Sequence, residues 1–215
     1  MKGIQTRENK VYGVKEMSYH VPVPRAPLSE DQVQAQRDRI VEAATDLFVR
    51  DGYEALTMRR IAQVLGESPM TAYRYFEGKA EIFAAVRTHL YRRFADSQRV
   101  AFESCDGPMA RLLAMREAYL AFAFAEPTGY RVMFELGQAP QDDFPEQSAE
   151  GERAFGYLLR AVEAAMDARL MHGDPLTTAH LLWAQVHGIV TLHLAGKLHL
   201  GRTLEDLRHL DGWQW

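Results

Sequence analysis

The 47 residues from Ile40 to Val86 consist of short apolar stripes at helical spacing, cut by glycines at 52 and 66. That punctuation restricts this stretch to three short helices followed by the start of a longer one. Ile40, Val41, Ala44, Leu47 and Phe48 recur on one helical face. Gly52 ends that helix, because glycine reaches positive φ at little cost. Thr57 is placed to cap a second helix whose Met58, Ile61, Ala62 and Leu65 face inward. Gly66 breaks it, and Ser68 caps a third helix with Pro69 at its first position, where a missing N–H costs nothing. A glycine shortly before a capped short helix is the mark of a helix-turn-helix.

The third helix suits insertion into the major groove of DNA, where the second helix of such a motif goes. Ser68, Met70, Thr71, Tyr73, Arg74 and Tyr75 are small, polar or aromatic with a polar tip, while Ala72 and Phe76 are kept for the interior. Arg59 and Arg60 lie near the motif's first helix, and Lys79 opens the next one. Hydroxyls, cations and helix N-termini are the groups that hold phosphates. The alternative is an ordinary three-helix bundle with a solvated polar face.

The stretch resembles the DNA-binding domain of the TetR family of bacterial transcriptional regulators. The resemblance is carried, without a gap, by Ile40, Ala43, Ala44, Leu47, Phe48, Gly52, Tyr53, Thr57, Ile61, Ala62, Gly66, Ser68, Thr71, Tyr73, Tyr75, Phe76, Lys79 and Phe83. It implies that Thr57, Tyr73 and Lys79 hold phosphates and that Ser68, Pro69, Met70, Thr71, Tyr73 and Arg74 face base edges, with Arg59 and Tyr75 alongside. Two positions depart from the family pattern. Glu67 replaces an apolar turn residue, and Ala72 is smaller than the usual leucine or isoleucine, which bears on how the third helix packs and tilts.

The formal charge of −4 suits a DNA binder only once it is divided. Residues 1–30 carry +2 and residues 31–95 carry +1, whereas residues 96–215 hold 10 Lys/Arg against 17 Asp/Glu. Acid confined to the far half keeps one end of the molecule off the polyanion. A single cysteine, Cys105, excludes an intrachain disulfide. Together with the lack of an apolar signal core near the N-terminus it points to a cytoplasmic protein. Residues 1–30 show no helical or strand period, and Pro22, Pro24 and Pro27 exclude a helix from the later part. They read as a disordered tail or as a basic arm reaching a minor groove through Lys10, Lys15 and Arg25.

Beyond Lys79 the pattern is helical throughout, which makes the chain all-α with about nine helices. Ile82, Phe83, Val86, Leu90 and Phe94 stripe a long fourth helix that ends near Gly107. Leu112, Met115, Tyr119, Phe122 and Ala123 mark a fifth, which Pro127 closes. Tyr130, Met133, Phe134 and Leu136 mark a short sixth, followed by a polar loop from Gln138 to Pro145. Phe155, Leu158, Leu159, Val162, Ala165, Met166 and Leu170 mark a seventh. Leu204, Leu207 and Leu210 mark a last short one.

The stretch Leu176 to Leu200 is long enough to span a bilayer. His180, Gln185, His187 and His193 interrupt it, and such groups are costly in lipid. A helix apolar on most sides is better explained by burial against its own domain on one face and a partner subunit on another. Gly188 would let the partner helix approach closely.

This half resembles, more loosely, the C-terminal domain of a TetR subgroup with a Trp, His, Gly run, here spread out as Trp183, His187, Gly188. The resemblance implies a homodimer built on the last two long helices and a ligand pocket among helices four to eight. The dimer residues would be Leu182, Gly188, Ile189, Leu192, Leu204 and Leu207. Candidates for the pocket are Met115, Tyr119, Phe122, Tyr130, Met133, Phe155, Leu159, Met166, Trp183 and His187, though the same residue types would build a plain core.

No HExxH, paired CxxC or His-carboxylate cluster occurs at metal spacing, and no GxSxG or glycine-rich phosphate loop. The chain therefore reads as no enzyme, with no metal and no cofactor. The expected partners are a double-stranded DNA operator, a small apolar effector and a second copy of the chain, with no membrane. The expected domains are residues 1–32 as the arm, 33–80 as the helix-turn-helix domain and 81–215 as the ligand-binding and dimerisation domain. Rival readings are the same fold without a ligand, which requires a C-terminal half packed solid, and a membrane-associated helical protein.

Overall fold

A computed structural model describes residues 29–134 and 145–208 of the chain. Among these residues there are nine α-helices and no strand, as the helical periodicity requires. They are α1 (Glu30–Asp51), α2 (Met58–Leu65), α3 (Pro69–Tyr73), α4 (Lys79–Glu103), α5 (Pro108–Ala125), α6 (Pro127–Phe134), α7 (Pro145–Asp167), α8 (Pro175–Leu194) and α9 (Leu204–Arg208). A single 3-10 turn, Tyr53–Ala55, joins α1 to α2. The expected arm lies outside the described residues up to position 28, and α1 takes up positions 30–32.

Helices α1, α2 and α3 each begin where the sequence supplies a side-chain cap. Ser29 and Gln32 form a reciprocal capping box at the start of α1. The Thr57 hydroxyl accepts from the Arg60 N–H, and the Ser68 hydroxyl from the Met70 N–H. Between α2 and α3, Gly66 takes φ 67°, the left-handed conformation that fixes the sharp exit from α2. Ile40, Ala44, Leu47, Phe48, Leu56, Ile61, Ala72 and Phe76 are almost fully enclosed among α1, α2 and α3.

Helix α4 belongs to both halves. Its first turns give Ile82 and Val86 to the head, and its later turns give Leu90 and Phe94 to the C-terminal half, within one continuous apolar cluster. Helix α6 packs against α1 and α4. The approach is close enough that a Cβ on Gly129 would lie 3.0 Å from Leu90 Cδ2. Helices α5, α7 and α8 complete the bundle around the far part of α4.

Two element boundaries differ from the sequence reading. Leu170, expected on the inner stripe of the seventh helix, is 55% exposed. Helix α7 ends at Asp167, and Arg169 turns the chain at φ 58°, so Met171 takes the buried place instead. Helix α8 stops at Leu194, six residues before Leu200, with Gly196 at φ 66° just beyond. Leu136 and Leu210 lie outside the described residues. Among the described residues no helix is long and apolar enough to cross a membrane.

Candidate nucleic-acid interface and interior cavity

The outer surface of α3 and its flanks carries the expected polar set. Thr57, Arg59, Ser68, Pro69, Met70, Tyr73 and Arg74 are exposed, with Met70 at 68% and Tyr73 at 53%. Thr71, Tyr75 and Lys79 are half-buried, and Tyr75 leans against the head's core. Ala72 and Phe76 face inward at 2% each. Arg60 is also exposed, with its guanidinium 2.7 Å from the Asp51 carboxylate.

Two contacts brace this surface. The Lys79 ammonium lies over the Tyr53 ring, 3.7 Å from its centre, and 3.9 Å from the Glu54 carboxylate. Tyr53 in turn meets Phe83 edge-on at 4.8 Å. On the other side, Glu67 explains its own departure from the family pattern. Its carboxylate accepts from Gln36 Nε2 at 3.0 and 3.1 Å and pairs with Arg39 at 3.3 Å. The turn before α3 is thus tied to α1 by polar contacts where an apolar residue would have packed. Arg37 adds a second tie, donating to the Tyr75 carbonyl and to Glu81 while lying over the Phe76 ring. The small Ala72 leaves α3 seated because these ties hold both its ends.

In the C-terminal half a cavity of about 490 Å³ lies among α4, α5, α7 and α8. The rival reading of a half packed solid does not describe this interior. Of the expected pocket residues, Met115, Tyr119, Phe155 and Trp183 line it. Phe122, Tyr130, Met133, Leu159, Met166 and His187 do not border it; Tyr130 and Met133 are fully buried core. Sequence reasoning missed Tyr91, Phe94 and Gln98 on α4, Leu112 on α5, and Gln147 on α7, all of which line the cavity.

His187 sits one layer behind the wall, as a polar anchor. Its Nδ1 is 2.6 Å from the Tyr130 hydroxyl and 3.2 Å from the Tyr119 hydroxyl, and the two hydroxyls are 3.1 Å apart. Burial pushes the Tyr119 phenol up to about 12, with the hydrogen bonds from Tyr130 and Trp183 acting the other way. Trp183 and His187 stand one helical turn apart on α8 and both address Tyr119, which gives the spread-out motif a physical reason. This cluster joins the cavity wall (Tyr119) to α6 (Tyr130), the helix that packs on α1 and α4. His180 borders the cavity against the Phe155 ring, whereas His193 packs on Phe124 elsewhere. Among the described residues no group of three His, Cys, Asp or Glu could hold a metal.

Helix α8 separates two faces. Ala179, Leu182, Val186 and Val190 are buried within the subunit. Leu181, Gln185 and Leu192 face outward, with Leu181 at 49% and Leu192 at 47% exposed. Of the expected dimer residues, Leu192 lies on this outer face and Gly188 beside it. Leu182 instead lines the cavity, because it is one residue round the helix from Leu181. Ile189 packs on the core cluster. Leu204 and Leu207 are half-buried on α9, which is held to α5 by Arg208 and Glu117 at 2.6 Å.

Two family models match the chain. Residues 40–86 match the tetR family of bacterial regulatory proteins, and residues 112–210 match the tetracyclin repressor-like C-terminal domain. The chain is 32% identical over 100 residues to the HTH-type transcriptional activator FasR of Mycolicibacterium smegmatis, 46% of each chain. It is 37% identical over 90 residues to the HTH-type transcriptional repressor DrrR1 of Streptomyces coeruleorubidus, 42% of this chain and 32% of the other. The chain thus spans less than half the length of these two curated relatives. A protein of unknown function from Rhodococcus sp. RHA1 superposes with a TM-score of 0.70 at 23% identity, over 90% of this chain and 93% of that one. A regulator of the TetR/AcrR family from Thermobifida fusca superposes with a TM-score of 0.64 at 18% identity, over 84% and 100%. These two likenesses show a shared fold. With both halves matched by its models, the chain belongs to the TetR family of bacterial regulatory proteins.

Proposed function

We propose that this protein is a DNA-binding transcriptional repressor, released from a near-palindromic operator when a small, mostly apolar molecule enters the C-terminal cavity. Members of its family bind DNA operators and act as dimers. The observation that carries the reading is the exposed, braced surface of α3, with a cavity in the same chain joined to it through α4 and α6. Two copies meeting through the outer face of α8, with Leu181, Gly188 and Leu192 at its centre, would place two α3 helices about 34–36 Å apart, one DNA turn.

An effector would favour a different angle of α4. The change in operator affinity equals the effector's own affinity difference between the two arrangements. Tyr119, on the cavity wall and hydrogen-bonded to α6, is where occupancy would first be felt. Selection of duplexes from a random pool tests this. The expected product is a sequence with two inverted half-sites centred about one turn apart. Half-sites with no fixed spacing, or no enriched sequence, would contradict it.

A further inference from the structure

The walls of the cavity say what chemistry it accepts, on the reading that the cavity is the effector site. Seven rings border it: Tyr91, Phe94, Tyr119, Phe134, Phe155, His180 and Trp183, contributed by five helices. They already interlock, Phe94 edge-on to Tyr119 at 5.1 Å and Phe155 edge-on to Trp183 at 6.1 Å. A wall of fixed rings suits a ligand that is itself a ring, since stacked and edge contacts reward flat partners.

The wall is also poor in available charge. Among the described residues bordering the cavity, the Lys, Arg, Asp and Glu side chains are Arg116 and Glu152, and the exposed His180 has its Nδ1 2.8 Å from the Leu176 carbonyl. The Arg116 guanidinium is held 3.0 Å from Glu117 and donates to the Arg208 carbonyl at 3.0 Å. A carboxylate entering the cavity would have to displace one of them. Glu152 is exposed and meets water, so it leaves the depth of the cavity without an anion. The buried polar groups of the wall are the Tyr119 hydroxyl, engaged by Tyr130 and His187, and two amides, Gln98 at 4% and Gln147 at 7% exposed. Amides both donate and accept and carry no charge. A carboxylate moved into such a site loses its hydration without gaining a counter-ion.

From these walls we infer that the cavity selects a ring-bearing, non-anionic molecule with at least one hydrogen-bonding group, and rejects carboxylates and simple alkyl chains. A matched set of probes isolates the negative charge: 9-anthracenemethanol and 9-anthracenecarboxylate, with 1-decanol as the ringless control. Calorimetry on the full chain gives each affinity. The alcohol should bind at least about tenfold more tightly than the carboxylate and than decanol. Leu158→Trp, which places a large ring in the cavity, should weaken the alcohol by a similar factor. Should that variant not fold, a crystal soaked with the brominated alcohol locates the site by anomalous scattering.

Tighter binding of the carboxylate or decanol overturns the inference, as does binding of the alcohol outside the cavity or no binding by any probe. Operator affinity, measured in parallel on a duplex selected by the protein, separates this from the function. Alcohol binding with unchanged DNA affinity upholds the ligand class and removes the effector role. Operator release by the carboxylate does the reverse.

Discussion

The Lys79 ammonium rests 3.7 Å above the centre of the Tyr53 ring, at the edge of the α3 surface. Tyr53 is itself fixed edge-on against Phe83. A lysine held in this way meets a phosphate with less of its rotamer freedom left to lose. Lys79→Ala should therefore weaken DNA binding about tenfold and lower the salt slope by about 1, since one phosphate contact is gone. Tyr53→Leu should lose about 0.5–1 kcal/mol of binding, a two- to fivefold effect. Fluorescence anisotropy across a salt titration measures both, and equal slopes for wild type and Lys79→Ala would exclude the contact.

Glu67 ties the turn before α3 to α1 through Gln36 and Arg39. Glu67 is partly enclosed and Arg39 is not, so the net contribution is modest. Glu67→Ala should destabilise the fold by about 1 kcal/mol, because it leaves the Gln36 amide without its acceptor. Urea unfolding reads this directly. Glu67→Leu should recover part of the loss by restoring an apolar turn residue.

The buried hydroxyl of Tyr119 makes stability depend on alkaline pH. Its phenol is raised to about 12 in the fold, above an ordinary value of 10 in the unfolded chain. The neutral form is therefore favoured by folding. Its contribution is fully present below pH 10 and is lost as pH rises toward 12, by about 1.4 kcal/mol per unit. Melting curves should show wild type losing stability relative to Tyr119→Phe across that window. Parallel loss in the two proteins would contradict the burial argument.

The outer face of α8 exposes Leu181 and Leu192 on either side of Gly188. If that face joins two copies, Leu181→Glu with Leu192→Glu places charges in an apolar contact that cannot pair them. Sedimentation should then give a monomer, while the circular dichroism spectrum stays helical. An unchanged dimer would move the interface elsewhere.

The head was legible because its signals are local. Gly52, Thr57, Gly66, Ser68 and Pro69 each act within a turn of where they stand, and the structure places a helix end at every one of them. The cavity was half legible for the opposite reason. A ring bordering empty space and a ring in solid core have the same sequence pattern, so Phe122 and Met166 were indistinguishable from Met115 and Phe155. Tyr91, Phe94 and Gln98 were hidden in the stripe of α4, where periodicity gives a buried face but not what lies opposite. On α8 the leucines at 181 and 182 are adjacent and chemically identical. With so few charged landmarks on that helix, only packing assigns one to the cavity and the other to the outside.

The central claim is that α3 and the start of α4 read and grip a DNA duplex. It is tested most directly by the affinity of the Tyr73→Ala/Lys79→Ala double variant for a duplex selected by the wild type. The account predicts a loss of at least about a hundredfold, with helicity and oligomeric state unchanged. Wild-type affinity in a folded double variant would contradict it.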